Sequence, residues 1–265
     1  MEESKKNIME DNEETLDNVY KIPRNLLFIG GPNCTAKAVT LKGLNNAITP
    51  DLPFVISPIT KIERPKYAYK DSLYSDLLID IAEYSISFYE SCRMAKENPD
   101  KIIINTQCSF DWHIKVHTLN DRHYLGDDEH YMLCAIFQTA FEPWEIVNFR
   151  VIMIYPDLFT LLEDEEYQPY KDIIHNRDGY IEDLHMRYHT TLINNLAHHM
   201  PYFELIESSN PTKRLNDIVT LIQDYKVKYD EYIKEHPEEY LTHPAIDNDN
   251  QKAAKLREAF RKHLG

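Results

Sequence analysis

The sequence predicts an α/β protein, a five-stranded and mainly parallel sheet covered by helices on both faces. Three observations lead there. Short apolar runs alternate with longer helical segments along most of the chain, the pattern of parallel strands joined by crossover helices. One of these runs, KIIIN at residues 101–105, is a β-branched stretch of the kind buried on both faces of a parallel sheet. The first run, at 26–29, ends in a doubled glycine, although the chain has only 6 glycines in 265 residues. Average usage is about 7%, so the backbone there needs a freedom that the rest of the chain does without.

The elements follow in order. Residues 1–22 are charged, show no periodic apolar face and read as a disordered acidic leader. The domain proper is expected at 23–229. Strand 26–29 runs into a turn at Gly30, Gly31 and Pro32, followed by a helix from about Lys37 to Leu44. The run at 54–57, bounded by Pro53 and Pro58, is a second strand. Residues 59–70 are irregular and basic (Lys61, Arg64, Lys66, Lys70); such a run is an exposed loop or a contact for a phosphorylated acceptor. Asp71 then caps a long helix to about Lys96, which Asn98-Pro99 stops. After the third strand at 102–104, residues 106–111 form a loop at the carboxyl edge.

A turn near Gly126 and an acidic start at Asp127 or Asp128 open a helix through Phe141. FRVIMIY at 149–155 is the fourth strand, ending at Pro156-Asp157, and a helix spans 157–166. The polar segment 167–179 and a helix over 180–199 lead to a fifth strand at 202–206. Ser208-Ser209-Asn210-Pro211 caps a helix to about Tyr229. Residues 230–265 form a charged tail with a helix near 250–264. It is either an arm packed on the domain or a contact for a second copy in a homo-oligomer.

Composition narrows the function classes. With 43% hydrophobic and 28% charged residues, a globular core is affordable. A net charge of −15 argues against sequence-independent binding to a nucleic-acid backbone. Cys34, Cys92, Cys108 and Cys134 lie far apart, so their spacing indicates neither a zinc site nor a disulfide framework and fits a reducing, cytoplasmic setting. No apolar run reaches the length of a membrane span, and the first residues are polar and acidic, unlike a signal peptide.

The chemistry concentrates in NLLFIGGPNCTAKAVTLKGL at 25–44. Strand, glycine turn, then helix with a lysine near its start is the layout in which backbone N–H groups and a helix N-terminus face an anion. The full phosphate-loop pattern is Gly, four residues, Gly, Lys, then Ser or Thr. Counting from Gly31, this chain has Gly31, Ala36, Lys37 and Ala38. The cradle is therefore expected over Gly30, Gly31, Pro32, Asn33, Cys34, Thr35, Ala36, Lys37, Ala38 and Val39. Ala36 is tolerable only at negative φ. Ala38 brings no oxygen to a metal, which leaves Thr35, or the more distant Thr40, as a substitute hydroxyl. Lys37 reads as a phosphate ligand or as a solvated lysine on the first helical turn. Asp111 reads as a general base and metal ligand or as the cap of the next helix. His185 and His189 stand one turn apart, but no glutamate follows His185, so they read as packed or solvated, as does the pair His198-His199.

GGPNCTAKAVTLKGL resembles the opening of the P-loop kinases that phosphorylate nucleosides, nucleotides and nicotinamide riboside. The likeness continues at residues 101–111, where Asn105, Thr106 and Gln107 stand in place of the family's acidic residue and arginine; Asp121-Arg122 lies further on. It resumes at 151–157, similar to the strand before the family's lid, and at 202–222, similar to its last strand and helix. The resemblance implies a three-layer P-loop kinase-like sandwich over 23–229 with a helical C-terminal extension. It implies ATP as phosphate donor, a weakly held Mg2+, a small-molecule acceptor, and lid arginines at Arg177 and Arg187; the polarity of 167–179 and its place between the fourth strand and a helix predict a mobile lid there that carries Arg177. Two other readings stand beside the nucleoside or nucleotide kinase. One is a catalytically weakened relative that binds a nucleotide or a protein as a scaffold; the other is a kinase acting on a modified base in DNA, which the charge disfavours.

Overall fold

A computed structural model describes residues 22–47, 52–62, 73–141, 149–164, 176–196, 198 and 200–237. The expected leader up to residue 21, most of the basic run, the Asp71 cap, the end of the helix expected over 157–166, residues 167–175 of the expected lid and the helix at 250–264 lie outside the described residues.

Five strands form one sheet: β1 (Leu26–Gly30), β2 (Phe54–Ile56), β3 (Ile102–Asn105), β4 (Arg150–Ile154) and β5 (Tyr202–Ile206). All the pairings are parallel and the spatial order is β2-β3-β1-β4-β5. The sheet expected to be mainly parallel is therefore wholly so, and each expected strand lies in it. Seven α-helices complete the described part: α1 (Thr35–Ala47), α2 (Leu73–Glu97), α3 (Ser109–Asp121), α4 (Asp127–Phe141), α5 (Leu158–Leu162), α6 (Arg177–Arg187) and α7 (Pro211–Glu235). A π-helical segment, Tyr188–Leu196, continues α6.

Period-2 alternation divides the apolar residues between two faces. Leu26, Phe28, Ile103, Val151 and Met153 face a core shared with α2, α3, α4 and α6. Leu27, Ile29, Ile102, Ile104, Ile152 and Ile154 face α1 and α7, through Leu44, Ile218 and Ile222. The result is three layers, helices on both faces of one sheet. The central strands are buried on both sides, which is why they read as unbroken apolar runs.

Both expected domain boundaries shift. Ile22, assigned to the leader, is 4% exposed and part of the core. At the other end α7 runs past residue 229 to Glu235, with Tyr229 buried and Ile233 packed on the core.

Successive strands add on both sides of β1, so the chain reverses its direction of winding there. In such sheets the crevice for a ligand opens beyond the carboxyl ends of the strands at that switch. Gly31 after β1 and Asp111 after β3 come to this edge, as the parallel pairing Phe28↔Asn105 requires.

Candidate functional site at the β1–α1 turn

Only four residues, 31–34, separate β1 from α1, because the helix begins two residues earlier than its apolar spacing suggested. Gly31 makes this turn possible. Its φ is +127°, and a Cβ there would stand 2.0 Å from the carbonyl oxygen of Ile154. Gly30 has no such need: a Cβ would meet Asp111 and Cys108 at 3.4 Å. The doubled glycine thus contains one obligatory residue. Ala36 lies in the first turn of α1 without a positive φ, so the missing second glycine strains nothing.

The turn's polar groups already have partners. Lys37, 5% exposed, donates from Nζ to the Gly31 carbonyl at 2.9 Å and to Asp111 Oδ2 at 2.7 Å. The other Asp111 oxygen accepts from the Gly31 N–H at 2.9 Å and from the Tyr188 hydroxyl at 3.0 Å. Asp164 takes the helix end: Thr35 donates to it from its N–H at 2.8 Å and from Oγ1 at 2.9 Å. The Lys37 N–H points to Cys34 Sγ at 3.4 Å. One carboxylate, Asp164, therefore occupies the place where the N-terminus of a helix favours an anion, and a second, Asp111, meets the first amide of the turn and the lysine.

Burial governs the electrostatics. It raises the Asp111 carboxyl above its ordinary value and outweighs the opposing pull of Lys37 and the hydrogen bonds from Gly31 and Tyr188. A base held in this way keeps more affinity for a proton than a solvated aspartate. Burial also lifts the Cys34 thiol to about 11, so Cys34 caps the helix as a neutral thiol and is no nucleophile at neutral pH.

Lys37 is a buried ion-pair partner rather than a solvated lysine. Asp111 sits in the first turn of α3, not in a loop, and caps nothing, since the cap position is Cys108. The two expected metal residues are not joined: Thr35 is held by Asp164, Asp111 by Lys37, Gly31 and Tyr188. Thr40 is spent as well, donating to the Ala36 carbonyl and accepting from the buried Arg214. Ala38 and Val39 face outward on α1. Asn105 turns inward, its amide on Ser91 Oγ at 2.9 Å and its carbonyl accepting from the Gln107 N–H at 2.7 Å. It shapes the turn after β3 and does not replace an acidic residue.

The two expected lid arginines part company. Arg177 pairs with its neighbour Asp178, and its Nη2 also holds the Leu162 carbonyl at 2.9 Å, two residues from Asp164, while Nη1 is buried with no hydrogen-bond partner among the described residues. Arg187 does not reach the turn. It pairs with Asp121, ten residues beyond Asp111 on α3 and so about 15 Å away along that helix. Arg122 is structural too, clamping α3 to α6 through Asp183 and the Gly179 carbonyl. His185 stacks on Tyr155 with ring centroids 4.6 Å apart, a packed histidine as expected.

Asp164 and Tyr188 are the site residues that sequence reading missed. Asp164 follows α5 with nothing to mark it, and Tyr188 is one of 18 tyrosines. Beside Asp111 a small pocket of about 30 Å³ opens between the turn and the helices, lined among others by Asn33, Tyr84, Trp112, Tyr180 and Tyr188. That is room for roughly a water or two. No described helix is long and apolar enough to cross a membrane. Comparison of the chain with family models and with curated proteins, and of its fold with solved structures, gives no match.

Proposed function

We propose that the chain is an ATP-binding phosphotransferase of the nucleoside and nucleotide kinase kind. The observation that carries this reading is Asp111, which touches both halves of the chemistry. One oxygen lies on Lys37, the other accepts from the first amide of the turn, and the side chain lines the small pocket. A donor phosphate on the turn and an acceptor hydroxyl in the pocket then meet at one carboxylate. Phosphoryl transfer asks mainly for such positioning and for cations around the moving phosphate.

In this reading Lys37 exchanges its Asp111 contact for the terminal phosphate, and Asp111, released, takes the acceptor's proton. Arg177, drawn from its pair with Asp178, adds charge from the α6 side. Magnesium would be held mainly by the phosphates and water, because Ala38 has no ligand oxygen, with Thr35 as the protein oxygen at the helix end, and it would neutralise charge at the phosphates.

A specific observation favours a second reading, the catalytically weakened relative. Thr35 spends both its N–H and its hydroxyl on Asp164, so a phosphate has to displace a carboxylate from the helix end. Calorimetry with ATP, with and without Mg2+, on the parent and on Lys37→Ala separates the readings. The kinase reading expects binding that Lys37→Ala weakens by roughly 1.5–3 kcal/mol through loss of a charged hydrogen bond, and ADP release when an acceptor nucleoside is added. Binding without ADP release from any nucleoside or nucleotide supports the weakened relative. No binding of any phosphate compound ends both nucleotide readings and leaves a protein scaffold.

A further inference from the structure

Away from the turn, α3 and α4 bring together a second group of chemistry-bearing residues. His113 and His117 stand four apart on α3, and His130 and Cys134 stand four apart on α4. Residues at this spacing share one helix face, and here the two faces meet. His130 Nε2 lies 3.3 Å from His117 Nδ1 and 3.4 Å from Cys134 Sγ. One ligand atom from each of His117, His130 and Cys134 falls within 4.8 Å of the other two.

Hydrogen bonding does not account for this convergence. An imidazole nitrogen carries either one hydrogen or one lone pair, so His130 Nε2 cannot complete good bonds with two neighbours along different directions. A shared cation accounts for both approaches. With Zn–N near 2.0–2.1 Å and Zn–S near 2.3 Å, the edges of a tetrahedron are about 3.3–3.6 Å, and the two observed separations lie in that range.

We infer that His117, His130 and Cys134 form a binding site for a single zinc-like divalent cation that fastens α3 to α4. Two imidazoles and a thiolate are the donor set that suits such a metal. His113 is not among the converging donors and packs instead on the His117 ring, so the fourth position falls to water. The frame is fixed before any metal arrives. Trp112 and Phe137 stack at 5.5 Å with an interplanar angle of 2°, His113 packs on the same Phe137, and Trp112 Nε1 donates to the Leu77 carbonyl. The three ligands are each half-exposed, which gives the ion a way in. On binding, Cys134 releases its thiol proton to solvent. Cysteine spacing alone gives no sign of zinc, because this site uses one cysteine, one histidine from the same helix and one from the neighbouring helix.

The test uses the full chain, freed of metal and titrated with Zn2+ against a colorimetric chelator. One equivalent is expected, with at least a tenfold loss of affinity in His117→Ala and in Cys134→Ser and no change in the exposed control His198→Ala. Loading with Co2+ should give a thiolate-to-cobalt charge-transfer band that Cys134→Ser removes. X-ray absorption of the zinc-loaded parent, which needs no variant to fold, should find one sulfur and two imidazole nitrogens. Failure to bind one equivalent, unchanged affinity in both variants, or a shell without sulfur overturns the inference.

Discussion

The β1–α1 turn and the α3–α4 cluster hold opposite kinds of site on one helix. Asp111 in the first turn of α3 belongs to the former and His117 to the latter, six residues and about 9 Å further along the helix. At the turn, charge is spent within the protein: Lys37 on Asp111, Thr35 on Asp164. In the cluster, His117 and Cys134 crowd one nitrogen of His130. A site that has satisfied its charges internally gives them up only in exchange for a ligand. A site whose donors crowd one another has no exchange to make. Ligands of the turn should therefore bind in competition with the protein's own carboxylates, whereas a cation joins the cluster without displacing a charged partner.

The largest effects should come from breaking the spent pair. Removing one member of a buried ion pair costs about 3–5 kcal/mol, because the other charge stays buried alone. Lys37→Met and Asp111→Leu should each lower the unfolding midpoint strongly, and the double variant should recover much of the loss. In the absence of metal, Cys134→Ser in the half-exposed cluster should shift stability far less. Similar losses at both places would erase the contrast.

Backbone strain comes next. Gly31→Ala places a methyl group 2.0 Å from the Ile154 carbonyl oxygen at a φ of +127°, and should destabilise by at least about 1–3 kcal/mol. Gly30→Ala meets only ordinary contacts and should stay within about 1 kcal/mol. Denaturant unfolding of the two variants side by side decides whether Gly31 alone makes the turn.

The sheet and that glycine were legible early because they depend on local pattern. Strands buried on both faces announce themselves as apolar runs, and a tight turn after a strand demands a glycine. Asp111 was legible from its place after β3, although its helix was not. Asp164 and Tyr188 were not legible, since they meet their partners across 129 and 77 residues and only the folded layers align them. Arg187 misled for the same reason: its place on α6 depends on how that helix packs against α3. Each half of the histidine–cysteine cluster was readable as an i,i+4 pair, but not the pairing of the halves, which the contact between two helices sets.

The smallest effect concerns the missing hydroxyl. Ala38→Ser restores an oxygen at the position where the phosphate-loop pattern wants one. ATP binding should then depend more on Mg2+, by about 1 kcal/mol or less, with stability unchanged because residue 38 is exposed. Binding that responds to Mg2+ identically in parent and variant would show that this position never meets the metal.

In the proposed reading the turn is an anion seat held by the chain's own carboxylates. Asp164→Asn tests it most directly, since asparagine keeps an acceptor for Thr35 and removes the competing charge. The measurement is an ATP titration by calorimetry of the parent and Asp164→Asn under the same salt. The account predicts weak binding in the parent and roughly three- to tenfold tighter binding in the variant, on the order of 1 kcal/mol for a charge at a helix N-terminus. Equal affinities, or weaker binding in the variant, would contradict it.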